Sequence, residues 1–474
     1  MAVRPSVVAH VAGPRPSGRA REPWWVWLLV LSLALGAAAL VSTAPMVALA
    51  LAAAPLAPTL LYDGRWRVLA VAFGGVTVFH SSEDLSVLKA IYVVLLVLVL
   101  AGAWSAVSHA TRAGLVPTRV ARSIAAATAL LLGVVALSAP VALMNGHPFD
   151  LWFRDASPYV LLSMVPLLAV DASLSTSKRF LTWVFIAAGL VATASFAVFV
   201  LFRRGTDVSI ENLALSSFFL SSALFAFAWG QALAARRRSL LGWGLVAGIV
   251  FGTLLVTGTR SVLLLLFVPL TIWLIVRGRG FGRLVKAAIV ATFAVVLGFL
   301  FVQEQAGITL ATLGERLQMV ESGLLAPEQD QSVTERLRES EESWWLFKEA
   351  PLVGVGPGHL FQSYRVGGVS TSFTVDSSLS VLAKFGALGA TALIGFFGVL
   401  WHVVTRSGPS RLYGRAQLAA YATVTLLYFA VGNPFEDKGF AIGLVFLVAF
   451  ALPQQEQKHH SPSEGGLKPG RRKW

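Results

Sequence analysis

The sequence predicts an all-α polytopic membrane protein with about 12–14 transmembrane helices and one large outer-face loop containing short helices. Three observations carry this reading. Of 474 residues, 56% are hydrophobic and only 13% are charged, against about 25% charged in soluble domains, and the mean hydropathy is +0.72. Apolar windows of roughly 17–25 residues, each able to span a bilayer as a helix, recur along the chain. Basic residues gather in alternate loops, the pattern that orients membrane helices. The same composition excludes a disordered chain, which needs low hydrophobicity and high net charge. Cysteine is absent, so disulfides, a thiol nucleophile and a cysteine metal site are excluded.

Taken in order, residues 1–22 form a basic arm with Arg4, Arg15, Arg19 and Arg21. No small-residue cleavage site follows it, so a cleavable signal peptide is not expected. Spans are expected near 24–42, 45–62, 66–79, 86–108, 121–144, 157–172, 178–203, 211–234, 239–257, 260–277 and 283–303, and then near 377–404, 413–432 and 436–452. The short segments within 45–79 and 413–452 set the range in the count. The chain thus divides into the arm, a membrane region over 23–303, a large loop over 304–373, a second membrane region over 374–452 and a Gly/Pro-rich tail over 453–474. Arg65 and Arg67; Arg112, Arg119 and Arg122; Lys178 and Arg179; Arg236, Arg237 and Arg238; Arg277, Arg279 and Arg283; and Arg406, Arg411 and Arg415 all fall on one side. That side is expected to be cytoplasmic, with both termini on it and the large loop outside. The net charge of +14 is then a topology signal, aided by anionic membrane lipid, and no nucleic-acid partner is expected.

The large loop stands apart from the other connections, and loops of such length in a compact fold are usually functional. Within it Ser332-Val333-Thr334-Glu335 has the form of a capping box, in which serine and glutamate satisfy each other's amides. A helix is expected to run from there to about Glu349 and stop before Pro351. Val333, Leu337, Trp344 and Phe347 make its apolar stripe, expected to lie on the membrane-embedded body. Arg336 and Arg338 project roughly 200° apart on such a helix, so only one can enter a pocket, and Arg336 is expected to face inward. Gly354-Val355-Gly356-Pro357-Gly358 reads as a turn-rich stretch, because the Lys-Ser/Thr pair of a phosphate-binding loop is missing.

Several basic residues fall on the side opposite the positive loops: Arg154, Arg203, Arg204 and Arg260 near helix ends, and Arg316, Arg336, Arg338 and Arg365 in the large loop. Arginine presents a fixed fork of donors that suits phosphate bidentately, so such residues can hold an anionic lipid headgroup; each can also simply snorkel or pair with a glutamate. Arg260 is the sharpest case, in Thr257-Gly258-Thr259-Arg260-Ser261 between two apolar spans, where an ionisable residue at the membrane edge is by default a functional hypothesis. Asp376 opens the span that follows the loop, either as a helix N-cap or as a general base. Lys384 lies about 12 Å further along that helix, contacting the same headgroup or snorkelling outward. The outer-face histidines His80, His147 and His359 are scattered, and no metal-ligand spacing is evident. No cofactor is expected. Glu83-Asp84 is the acidic pair that a metal-dependent rival would use.

From residue 332 onward the chain resembles the O-antigen ligase and O-antigen polymerase superfamily. The resemblance rests on Ser332-x-x-x-Arg336, Trp344, Pro351-Leu352-Val353-Gly354-Val355-Gly356-Pro357-Gly358-x-x-Phe361, and the run from Asp376 through Lys384 to Gly389, with Thr259-Arg260-Ser261 upstream. It implies a glycosyltransferase C-like fold and a metal-independent, inverting membrane glycosyltransferase. Such an enzyme moves a glycan from a polyprenyl-pyrophosphate carrier to a hydroxyl of a glycan or glycolipid acceptor at the outer face of the cytoplasmic membrane. It further implies Arg260 and Arg336 as pyrophosphate ligands, with Arg154 and Lys384 as further candidates. Asp376 takes the place of the base, where the ligase branch has histidine, and His359 is the fallback. A lipid or solute transporter is the alternative of another class, and would show internal pseudo-repeats and broken helices.

Overall fold

In the computed structural model, residues 56–78, 87–202, 218–234, 237–256, 331–362, 370–372, 377–406, 412–429 and 432–452 are described. The chain divides into two units, Met1–Thr59 and Leu60–Trp474. The described residues are helical apart from one two-residue antiparallel ladder and short turns. In chain order the helices are α1 (Leu56–Tyr62), which crosses the boundary of the units, α2 (Gly64–Val78), α3 (Val87–Arg112), α4 (Thr118–Met144), α5 (Phe149–Ser175) and α6 (Lys178–Phe202). They continue with α7 (Phe218–Ala234), α8 (Arg237–Val256), α9 (Gln331–Glu349), α10 (Ser380–Arg406), α11 (Leu412–Phe429) and α12 (Lys438–Ala451). The ladder pairs β1 (Phe361–Gln362) with β2 (Ser370–Thr371).

Four of these helices, from Tyr92, Thr118, Phe149 and Ser380 onward, are long and apolar enough to cross a membrane. The fold class is that expected: an all-α polytopic membrane protein. The expected spans at 24–42, 260–277 and 283–303 lie outside the described residues.

The second unit is built around α5. Its 27 residues reach about 40 Å, and nearly all of its span is buried. Between Tyr159 and Val170 the helix carries no charge on any side, as suits a core helix, and α2, α3, α4 and α12 surround it. The other inner helix, α12, is buried from Gly439 to Ala451. At 14 residues it is only about 21 Å long, short of the roughly 30 Å hydrocarbon core. The chain before it, Asn433 to Asp437, is buried non-helical backbone and a 3₁₀ turn. Such backbone is tolerated at membrane depth only inside protein; here Phe435 N donates to Asn433 Oδ1 at 3.1 Å and Asp437 N to Pro434 O at 3.3 Å, while the Asp437 carboxylate accepts from Gly439 N at 2.7 Å and Phe219 N at 3.1 Å at the starts of α12 and α7. The expected span at 436–452 is therefore shorter than a full crossing.

Two further expectations are corrected. Arg67, counted among the loop charges, lies inside α2, wholly buried in a two-pronged pair with Asp171: Nε and Nη2 each donate at 2.7 Å. Its Nη1 donates to the Leu60 and Leu61 carbonyls. The span expected at 157–172 begins at Phe149; its first turns carry Asp150, Arg154 and Asp155, which depress hydropathy although the helix continues. Pro158 leaves the Arg154 carbonyl without its intrahelical donor, and the Ser157 hydroxyl donates to it at 2.9 Å.

Candidate functional site

At the end of the bundle where α4 meets α5, and where α10 and the 3₁₀ turn begin, four formal charges gather inside the protein. The Lys384 ammonium, fully buried, donates at 2.8 Å to Glu436 Oε1 and at 2.7 Å to the Ser372 carbonyl, and stands 3.0 Å from Asp155 Oδ2. The Asp155 carboxylate also accepts from Gly358 N and Ser372 Oγ, both at 3.0 Å, and lies 3.5 Å from Arg154 Nε. Arg154 in turn reaches the Ser372 hydroxyl. Two cations face two carboxylates, the pairing that makes charge tolerable in a dry interior. Glu436 is held from its other side by Asn433 Nδ2 at 3.3 Å, an amide that also meets Tyr159 OH and Ser380 Oγ.

A glycine strap closes over this cluster. Gly354, Gly356 and Gly358 all have positive φ, a conformation glycine adopts without strain. A Cβ on Gly356 would lie 2.7 Å from Ala142 Cα, and one on Gly358 would lie 2.8 Å from Trp152 N. The stretch is thus a packing device that brings backbone onto the α4–α5 connection. It also enters α10, which is broken at Gly386 with φ 62°. Val355 N and Gly356 N donate to the Ala383 and Lys384 carbonyls, while Ala387 N and Leu388 N donate to Pro351 O and Leu352 O. The strap supplies the hydrogen bonds that the break removes, as buried backbone requires. Asn145 Nδ2 donates to Val355 O at 2.9 Å and His147 Nδ1 lies 3.2 Å from Pro357 O. Burial holds the His147 imidazole below its ordinary pKa, against the raising effect of the Pro357 carbonyl.

Helix α9 packs on α10, with Ser340 Oγ 3.1 Å from Ser377 Oγ. Its buried face is Glu339, Ser343 and Leu346, and Leu346 joins Val355, Phe361 and Ala383 in a small core of their own. Arg336 shares that face, half-buried with its Nε shielded, whereas Arg338 is exposed. Of the apolar stripe expected to pack inward, Leu337 is 60% exposed and Trp344 45%, while Phe347 is half-buried. Inward packing assumed water on the far side, but what α9 meets is the polar head of α10, so its serines and carboxylate turn in. The helix also already includes Gln331 and Ser332, so the Ser332 capping box does not begin it.

Of the site residues read from the sequence, the structure brings together Arg154 and Lys384. Lys384 does not snorkel outward; its three donor directions meet Glu436, Ser372 and Asp155. His359 lies beside the cluster, its ring centroid 5.5 Å from that of His147 and its Nε2 3.8 Å from Glu342 Oε1. Arg260 and Asp376 lie outside the described residues, as do Arg203, Arg204, Arg316, Arg365, His80 and Glu83-Asp84. Ser377, the residue after Asp376, is the one bonded to α9. Sequence reasoning missed Asp155 and Glu436. The signal was present: each is an acidic residue beside or within an apolar span, and such residues are functional candidates by default.

Fold and site together define a membrane-embedded helical protein with a polar, strap-covered cluster at one end of its bundle. An O-antigen ligase family model matches residues 243–394, a segment that holds α9, the glycine strap and Lys384 and leaves out Asp155 and Glu436. The match supports membership of the O-antigen ligase superfamily, and with it a ligase- or polymerase-type glycosyltransferase activity in general terms. No curated protein matches the chain.

Proposed function

We propose that the protein transfers a glycan from a polyprenyl-pyrophosphate carrier to an acceptor hydroxyl at the outer face of a bacterial inner membrane, as an O-antigen ligase-like enzyme. The observation that carries this is the Ser340–Ser377 hydrogen bond inside the matched segment. It sets the Arg336 side of α9 against the head of α10, next to the position that Asp376 occupies in sequence. In the reaction the bond from the sugar's anomeric carbon to phosphate breaks as the acceptor oxygen attacks from the opposite face, which inverts configuration. The hydroxyl proton passes to Asp376. The negative charge that develops on the departing pyrophosphate is stabilised by Arg336 and Arg260, which need not reorganise when it appears. Arg154 and Lys384 act from within the buried cluster, holding the strap and the loop against the helices. His359 replaces Asp376 as base if the carboxylate serves only as a helix cap.

The test is purified protein incubated with a polyprenyl-pyrophosphate glycan and candidate acceptors, with and without EDTA. One transfer per acceptor identifies a ligase, a ladder of products identifies a polymerase, and activity that survives EDTA fits arginine-based charge stabilisation. The break in α10 beside a buried lysine favours a second reading, a transporter, although it lies only about 9 Å from the helix start. Movement of a glycan lipid between leaflets with no new glycosidic bond would establish that reading instead.

A further inference from the structure

Helix α9 and the glycine strap are two limbs of one hairpin, and its contacts with α10 show which way it points. Ser340 Oγ stands 3.1 Å from Ser377 Oγ, and Leu346 packs with Ala383. Pro351 O and Leu352 O then accept from Ala387 N at 2.8 Å and Leu388 N at 3.1 Å. Each step along α9 is matched by a step in the same direction along α10, so the two helices run side by side and parallel. The chain turns at Pro351–Val353 and climbs back: Val355 N and Gly356 N donate to the Ala383 and Lys384 carbonyls, and Gly358 N reaches Asp155. The hairpin therefore descends beside a helix long and apolar enough to cross a membrane.

Helix α4, continuous through Pro140, measures the descent without passing through the break in α10. A Cβ on Gly389 would lie 3.6 Å from Val134 Cγ1, and Val134 is about 15 Å along the helix from the end of α4 at Met144. The 27 residues of α4 reach about 40 Å, which overhangs a 30 Å hydrocarbon core by about 5 Å at each end. The tip, bonded to the two residues just before Gly389, sits about 5–10 Å inside, the depth at which interfacial helices lie.

The chemistry of the tip fits that depth. Ala350 to Gly358 reads Ala-Pro-Leu-Val-Gly-Val-Gly-Pro-Gly, without a polar side chain. Its backbone is engaged from within the protein, by α10, by Asn145 Nδ2 on Val355 O and by Gly354 N on Ala350 O at 2.9 Å, as non-helical backbone at membrane depth requires. Its side chains are left uncovered: Leu352 is 73% exposed and Val353 44%. Above them the outward stripe of α9 continues the same surface, with Trp344 and Phe347 in ring contact at 5.4 Å and tryptophan suited to the interface. Leu388 of α10, also exposed, continues it sideways. Lys348, one turn above the tip, reaches the headgroups along its own stem, and Glu349 shares the face of Glu342, which turns to His359 and the strap.

We infer that α9 and the strap form a re-entrant hairpin whose tip, Pro351-Leu352-Val353, is inserted among the acyl chains of one leaflet. Part of the long connection between α8 and α10 then lies within the bilayer and not above it, and the leaflet helps to hold the strap over the buried cluster. Among the described side chains of α9 the exposed charges cancel, Arg338 and Lys348 against Glu341 and Glu349, so the partner is the apolar part of the lipid and not an anionic headgroup. The inference requires only that α10 spans the bilayer, and holds whatever the protein transfers.

The test uses the full chain, which has no cysteine of its own, in phosphatidylcholine nanodiscs with a nitroxide attached at Leu352→Cys, at Ile394→Cys as the lipid reference and at Arg338→Cys as the water reference. Collision with oxygen relative to a water-soluble nickel chelate should be high at Leu352, as at Ile394, and should not change with salt or with added phosphatidylglycerol. A ratio nearer to that at Arg338 would overturn the inference, and a ratio that falls with salt would replace insertion by electrostatic attachment. Leu352→Glu, harmless on a tip in water, should raise amide exchange at Ala387 and Leu388; unchanged exchange would also count against insertion.

Discussion

Lys384 shows how one buried charge ties three parts of the chain together. Its ammonium meets Asp155 of α5, Glu436 of the 3₁₀ turn and the Ser372 carbonyl beyond β2. Removing one member of such a cluster leaves its partners charged and dry, which typically costs about 3–5 kcal/mol. Lys384→Met should therefore lower the thermal unfolding midpoint sharply in detergent, whereas Lys348→Ala, on the exposed side of α9, should stay within about 0.5 kcal/mol of the parent. His147 makes a second residue-scale prediction. Burial lowers its pKa, so the folded state takes up its proton less readily than the unfolded chain does. The stability it contributes is complete above the unfolded value of about 6.5 and declines as pH falls through it. Thermal midpoints measured from pH 7.5 to pH 5 should fall less steeply in His147→Asn than in the parent; parallel curves would remove His147 from the account.

At the scale of elements, the strap and the break in α10 are one structure. A Cβ on Gly386 would sit 2.4 Å from Leu352 C and O in a left-handed backbone, so Gly386→Ala combines strain of about 1–3 kcal/mol with a backbone clash. Gly133, in the middle of α4 with nothing within 4 Å of an added Cβ, should instead gain about 0.5–1 kcal/mol as alanine. Amide exchange at Ala387 and Leu388, which donate to the strap, should rise in Gly386→Ala and stay unchanged in Gly133→Ala. This is also where sequence reading succeeded and failed for physical reasons. Among the described residues the four long apolar helices were legible because the bilayer imposes a length on a crossing helix, although the one expected at 157–172 begins earlier; the α9 stop at Glu349 was legible because Pro351 enforces it. The facing of α9 was not, since an apolar stripe marks which residues tolerate an apolar phase without saying on which side that phase lies. The cluster was half legible. Arg154 and Lys384 stood out as basic residues on the wrong side; Asp155 and Glu436 carried a signal as acidic residues beside or within apolar spans, but their pairing with Lys384, more than 200 and 50 residues away, is something no local pattern reports.

For the whole molecule, we propose from the alternation of basic loops that the cluster end faces the outside. The chain has no cysteine, so single cysteines report orientation directly. Lys348→Cys should react with a membrane-impermeant maleimide in intact cells, and Ala113→Cys only after lysis; the opposite result inverts the topology and moves the chemistry to the other face. In the proposed reaction, with the cluster end outside, the arginines face a lipid-linked donor whose pyrophosphate carries at least two negative charges, more than one cation can balance in a poorly hydrated site. Arg336→Ala should then reduce the rate of transfer about 30- to 1000-fold, equivalent to about 2–4 kcal/mol of transition-state stabilisation, and lysine should restore only part of it for lack of a planar fork. Asp376→Asn separates the two halves of the reaction. In the proposed reaction the carboxylate acts on the acceptor and not on the carrier, so turnover should disappear while binding of undecaprenyl pyrophosphate, measured by native mass spectrometry, remains close to that of the parent. Full activity in Asp376→Asn would reduce the aspartate to a helix cap. His359, whose ring stands beside His147 at the strap, would then be the base to substitute next.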